Sequence, residues 1–167
     1  MKKELRKCFI IGFIFISVFG TLLHFLYEWN SDNRIVGLFS PVNESIWEHM
    51  KLFFFPMLLF TVIMSYFHML QVYYPALVPA LLLGLHAGTW FIPSCFYTYS
   101  GILGRSITLI DVLLFYLAVF FGLRVAYNKV KNSGLQKYEI PLKILTMIMV
   151  TLFMLFSYHP PRWGMFG

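Results

Sequence analysis

Five stretches, each long and apolar enough to cross a lipid bilayer, constrain this chain more than any other feature. A spanning helix needs about 20 mainly apolar residues. Sliding such a window along the sequence predicts spans at about 8–29, 52–72, 75–97, 107–127 and 141–158. With 59% hydrophobic and only 12% charged side chains, the 167 residues lack the charged exterior that a water-soluble fold requires. Lipid must serve as that exterior. The expected fold is all-α, a bundle of about five transmembrane helices forming a single domain over 1–167, placed as a multi-pass protein in the cell membrane.

The charged start Lys2-Lys3-Glu4-Leu5-Arg6-Lys7 resembles that of a secretory signal. His24-Phe25-Leu26-Tyr27-Glu28-Trp29 then stands where a signal peptidase needs small residues, so the first span is expected to be retained. The net charge of +6 does not imply a nucleic-acid partner, because the basic residues flank apolar segments instead of gathering on one folded surface. Their distribution sets an orientation instead. Lys2, Lys3, Arg6, Lys7, Arg124, Lys129, Lys131, Lys137 and Lys143 fall at one end of the spans, and Arg34, Lys51, Arg105 and Arg162 at the other. The richer end should be cytoplasmic, with the N-terminus inside and the C-terminus outside. All four tryptophans, Trp29, Trp47, Trp90 and Trp163, are then expected near the outer interface. Cys8 and Cys95, placed near opposite faces of the bilayer, would lie too far apart for a disulfide.

The segment 30–51, an outer loop leading into a helix start, holds the longest polar stretch. Ser40 with Pro41, or Asn43 with Glu44, can cap the helix that enters the second span, in which Pro56 is expected to kink it. Pro79 and Pro93 interrupt the third span, and Gly84 with Gly88 forms a small-xxx-small pair suited to close helix approach.

Most of the ionisable side chains at membrane depth belong to the outer half: Glu28, Asp32, Glu44, Glu48 and Asp111, with His24, His49 and His159. Buried charges in a bilayer are costly and face a bundle interior or a wet cavity. His24 and Glu28, four apart, share a face of the first helix, and Glu44, Glu48 and Lys51 share one of the second. If the two faces meet, they make an outward-facing polar pocket of His24, Glu28, Asn43, Glu44, Glu48, His49, Lys51 and Asp111. Within it His24, Glu28, Glu44, Glu48 and His49 could ligate a divalent transition metal, since imidazoles and carboxylates on facing helices suit zinc, iron or manganese. The contrasting expectation is an exposed, self-paired helical face. Asp111 needs a partner in either case, Arg105 or a facing histidine, and His68 and His86 are expected to be hydrogen-bonded within the bundle. Among known motifs, His-Glu-x-x-His, the Gly-x-Ser-x-Gly elbow and the nucleotide-binding glycine loops are absent.

These residues leave three functions open: a membrane protein whose outward-facing pocket could bind metal and act on a lipid-borne substrate at headgroup depth, with catalysis itself undetermined, a proton- or cation-coupled transporter or transporter subunit, and a structural or accessory subunit. The lipid bilayer is the expected partner in all three, with a homo-oligomer or a membrane partner protein expected for the latter two.

The runs His24-Phe25-Leu26-Tyr27-Glu28-Trp29 and Pro41-Val42-Asn43-Glu44-Ser45-Ile46-Trp47-Glu48-His49, with Phe96 to Gly104 and Ile110-Asp111, resemble a family of small bacterial multi-pass membrane proteins of unknown function. The resemblance implies the membrane architecture over nearly the whole chain and assigns no activity. It also implies continuation past Pro160-Pro161, which leaves the role of Arg162 and Trp163 open.

Overall fold

A computed structural model of the protein describes residues 2–31, 33–67, 70, 72, 74–162 and 164–166. Among the described residues six α-helices follow in order: α1 (Lys2–Trp29), the short α2 (Arg34–Gly37), α3 (Ile46–Tyr66), α4 (Leu77–Leu103), α5 (Thr108–Lys129) and, after a 3-10 turn at Ser133–Tyr138, α6 (Glu139–Tyr158). There is no strand among the described residues. All but α2 are long and apolar enough to cross a membrane. At 28 residues, α1 extends about 42 Å, more than the roughly 30 Å of a hydrocarbon core.

The bundle is organised around α3 and α4, whose apolar windows are each 67% buried, against 22% for α1 and α6. α4 packs most extensively on α5, then on α3, which in turn carries α1. The α4–α5 seam depends on small residues in both helices. A Cβ on Gly122 would stand 2.7 Å from the Gly84 carbonyl oxygen, and one on Gly84 would collide with the Gly122 carbonyl, with Ala118 and Ala126 a turn to either side. Removing Cβ at these points lets two backbones touch, and dispersion then replaces the hydrophobic drive that lipid does not provide. Phe53, Phe54, Met57, Leu77, Leu81, Leu85 and Phe153 fill the interior.

Pro56 lies inside α3 and, lacking an N–H, leaves the Leu52 carbonyl without its helical donor. Gly20 of α1 lies against that carbonyl, closely enough that a Cβ would overlap it. Pro93 is likewise internal to α4, whereas Pro79 falls in the first turn, where no helical donor is lost.

Some expectations shift. α3 begins at Ile46, ahead of the 52–72 window, because Ser45 caps the polar front of the helix, and it ends at Tyr66. The cap is neither Ser40 nor Asn43. α4 continues to Leu103, where Gly104 (φ 68°) ends it in the left-handed region, so Trp90 lies near its middle. Trp47 is buried against the rings of Phe153, Phe156 and Phe166. Neither is an interfacial anchor of the kind the sequence suggests. Asp32, His68 and Trp163 lie outside the described residues.

Candidate functional site

The connection between α1 and α3 folds back over one end of the bundle, held by hydrogen bonds from several residues of its motif. Asn33 Oδ1 accepts from Ile35 N (2.9 Å) and starts α2. Ser40 Oγ donates to the Leu23 carbonyl of α1 (2.5 Å), tying the loop to the first span. Asn43 Oδ1 accepts from Ser45 N (2.9 Å), turning the chain so that Ser45 Oγ can accept from Glu48 N (3.3 Å) and cap α3.

Ser45 and Glu48 have the spacing of a capping box, in which the glutamate would reach back to the cap N–H. Glu48 does otherwise. Its Oε2 accepts from Val42 N (3.0 Å) and from Lys51 Nζ (2.6 Å), and its Oε1 accepts from Ser157 Oγ of α6 (3.2 Å). Lys51 Nζ also donates to the carbonyls of Gly37 (3.0 Å) and Ser40 (3.4 Å) and to Ser157 Oγ. Glu48 and Lys51 are 1% and 0% exposed. An ammonium has three protons to place, and here acceptors from the loop, α3 and α6 surround it. Tyr158 OH adds a bond to the Arg34 carbonyl (2.8 Å), so α2 is held down on α6.

Glu48 and His49 are successive on a helix, about 100° apart in projection, so the inward turn of one sends the other toward the surface. His49 Nδ1 lies 3.0 Å from the Ser45 carbonyl. A carbonyl only accepts, so Nδ1 carries a proton, and whenever the ring is neutral it is Nε2 that presents the lone pair. That Nε2 stands 3.3 Å from Glu44 Oε2. The ring of His24, from α1, has its centroid 5.5 Å from that of His49. One potential ligand atom from each of His24, Glu44 and His49 falls within 4.8 Å of the others. The Glu44 side chain is 83% exposed and the His49 side chain 25%, so the group opens at the bundle surface.

The structure thus divides the pocket expected from sequence. Glu44 precedes α3 and does not share a helical face with Glu48 and Lys51. It joins His49 and His24, while Glu48 and Lys51 go to the interior. Glu28, one turn beyond His24 and so about 6 Å further along α1, is exposed and outside the group. Asn43 serves the turn. Asp111, at the start of α5, accepts from Tyr99 OH of α4, which itself accepts from Ile107 N (3.2 Å); among the described residues its partner is this tyrosine, and neither Arg105 nor a histidine. His86 Nε2 bonds Thr146 Oγ1 (3.0 Å), leaving Nδ1 buried without a partner among the described residues.

Sequence reasoning missed Ser40, Ser157 and the Gly37 carbonyl as the partners of Lys51. The available signal was arithmetic: a lysine entering an apolar span needs three acceptors, and Glu48 alone could not supply them. It also left the closing segment undecided between a cap and a frayed tail. Met165 O accepts from Trp47 N (3.1 Å) and Gly164 O from Tyr97 OH (3.2 Å), so residues 164–166 fold over the start of α3.

An all-helical chain with five helices able to cross a membrane, and with its polar groups gathered where the first loop meets α1, α3 and α6, defines the class. Over residues 1–167 the chain matches the family described as a family of unknown function, DUF6512, and it belongs to that family. No curated protein and no solved structure matches it.

Proposed function

We propose that this multi-pass membrane protein binds a divalent transition metal through His24, Glu44 and His49 and applies it to a lipid-borne substrate at headgroup depth. The observation that carries the reading is the contact between His49 Nε2 and Glu44 Oε2. With Nδ1 committed to the Ser45 carbonyl, two acceptors face each other at 3.3 Å, an arrangement that a cation between them would satisfy. Either a proton or a metal ion fills that role. A separation of about 3.3 Å is the edge of a tetrahedron with bonds of 2.0–2.1 Å, the lengths zinc makes to imidazole and carboxylate. His24, the third donor, would close by at most about 1.5 Å.

The second bond of His49 supports the same reading, since a ligating histidine commonly donates its other N–H to a carbonyl or carboxylate that fixes the ring. Two imidazoles and one carboxylate leave a coordination position open, as catalytic sites do, and an ion held there would supply Lewis acidity to a phosphoryl or carbonyl oxygen. The distribution of Lys and Arg supports an extracytoplasmic position for this end of the bundle. A coupled transporter using the outer carboxylates Glu28 and Glu44 is the second reading; the buried Glu48, held by Val42 N and Lys51, would take no part in it.

Elemental analysis of protein purified in mild detergent and loaded in turn with zinc, manganese and ferrous iron tests the reading. We expect about one tightly held ion per chain, lost in His49→Ala and His24→Ala, with fold and yield preserved. Absence of stoichiometric metal, or unchanged metal in both variants, leaves an imidazolium–carboxylate pair and defeats the proposal.

A further inference from the structure

At the opposite end of the bundle a groove of about 720 Å³ runs between α3, α4 and α6. Leu58 and Val62 of α3, Val78 and Leu82 of α4 and Met147 of α6 form most of its walls, with Thr61 and Thr146 also in the lining. Its mouth lies where α6 begins, with Glu139 and Lys143 on the rim. From Glu139 to Met147 the helix rises about 12 Å, most of the roughly 15 Å depth of one leaflet. The groove therefore opens at headgroup level and runs inward along mostly apolar walls, as a seat for an acyl chain would.

The rim carries both signs of charge. Lys143 Nζ donates to Glu139 Oε1 (2.6 Å), which uses one of three ammonium protons and one of two carboxylate oxygens. Both side chains are partly exposed, at 57% and 32%. The remaining two N–H groups can hold a phosphate, and Oε2 can accept from a primary ammonium. A phosphate joined to a primary amine by two carbons is the complement of this rim. A trimethylated amine has no proton to give Glu139, and a glycerol headgroup brings no cation to it.

We propose that this groove binds one phospholipid with a phosphoethanolamine headgroup, its chain between α3 and α6, its phosphate on Lys143 and its ammonium on Glu139. The site is separate from His24, Glu44 and His49 and stands or falls independently of them.

The test is native mass spectrometry of the full chain in mixed micelles containing phosphatidylethanolamine, phosphatidylcholine or phosphatidylglycerol. One phosphatidylethanolamine should be retained per chain, favoured over phosphatidylcholine by about tenfold, the worth of one charge-assisted hydrogen bond. Glu139→Gln should erase that preference, Lys143→Gln should weaken retention of every phospholipid, and Val78→Trp should block the groove. Equal retention of the three lipids, preference for phosphatidylglycerol, or an unchanged preference in Glu139→Gln would overturn the assignment. So would a lipid-free dimer, which would make the groove an interface between copies. Should Val78→Trp not fold, the two rim variants still decide, since their side chains reach the surface.

Discussion

Replacing Lys51 by methionine is the sharpest probe of how this bundle end is held together. The substitution keeps the length of the stem and removes the ammonium. Glu48 then remains fully buried with only Val42 N and Ser157 Oγ as donors, and the Gly37 and Ser40 carbonyls lose the Nζ donor. Breaking a buried ion pair by deleting one partner costs about 3–5 kcal/mol, chiefly because the other charge is stranded. At about 1.4 kcal/mol per decade, that lowers the folded-to-unfolded ratio by two to three orders of magnitude. The pair itself need not contribute that much, since exchanging both charges for neutral groups of similar shape is often close to neutral. Glu48→Gln with Lys51→Met together should therefore recover most of the loss. The measurement is reversible unfolding in mixed micelles, followed by the fluorescence of Trp47, whose ring sits among Phe153, Phe156 and Phe166 beside the pair. A Lys51→Met variant within about 1 kcal/mol of the parent, or a double variant as damaged as the single one, would refute the reasoning.

Two further predictions concern the helix seams. Gly84→Ala should cost about 1–3 kcal/mol by forcing α4 away from the Gly122 carbonyl, whereas Gly101→Ala, with nothing within 4 Å of the new Cβ, should stabilise α4 by about 0.5–1 kcal/mol; equal effects in the same unfolding assay would contradict the close approach. Tyr99→Phe should cost about 1.5–3 kcal/mol by stripping Asp111 of its donor, and Asp111→Asn in that background should cost far less than alone, which a double-mutant cycle reads directly.

The apolar windows made the number and rough position of the long helices legible, because twenty-residue apolar runs have few alternatives. Boundaries were less legible, since they are set by single groups. Ser45 starts α3 where hydropathy would have begun it at Leu52, and Gly104 ends α4 well after the expected Tyr97. The residues of the site were legible as a set and not as a partition. Spacing of four and three suggested that Glu44, Glu48 and Lys51 share a face, an inference that assumes all three are helical. The turn made by Asn43 places Glu44 before the cap, and that one fact sends it to the surface with His49. Ser157, more than a hundred positions away in sequence, could reach Lys51 only through the antiparallel return of α6 beside α3, which no local pattern encodes.

The adjacency of Glu48 and His49 explains why one short motif serves both interior and surface. Successive helical residues point in different directions, so a helix start that must carry a charge inward and an imidazole outward can do both with neighbouring positions. Each direction is then locked by a different part of the same turn. Glu48 is oriented by Val42 N and Lys51, and His49 by the Ser45 carbonyl. Ser45 contributes to both, its hydroxyl accepting from Glu48 N and its carbonyl accepting from the His49 backbone and ring. Lys51, by holding the carbonyls of Gly37 and Ser40, fixes the stretch of chain from which Glu44 projects. The buried pair is therefore a positioning device for the exposed group. Loosening it should let Glu44 drift from His49 without touching either side chain, so metal affinity should fall in Lys51→Met even where the bundle remains folded.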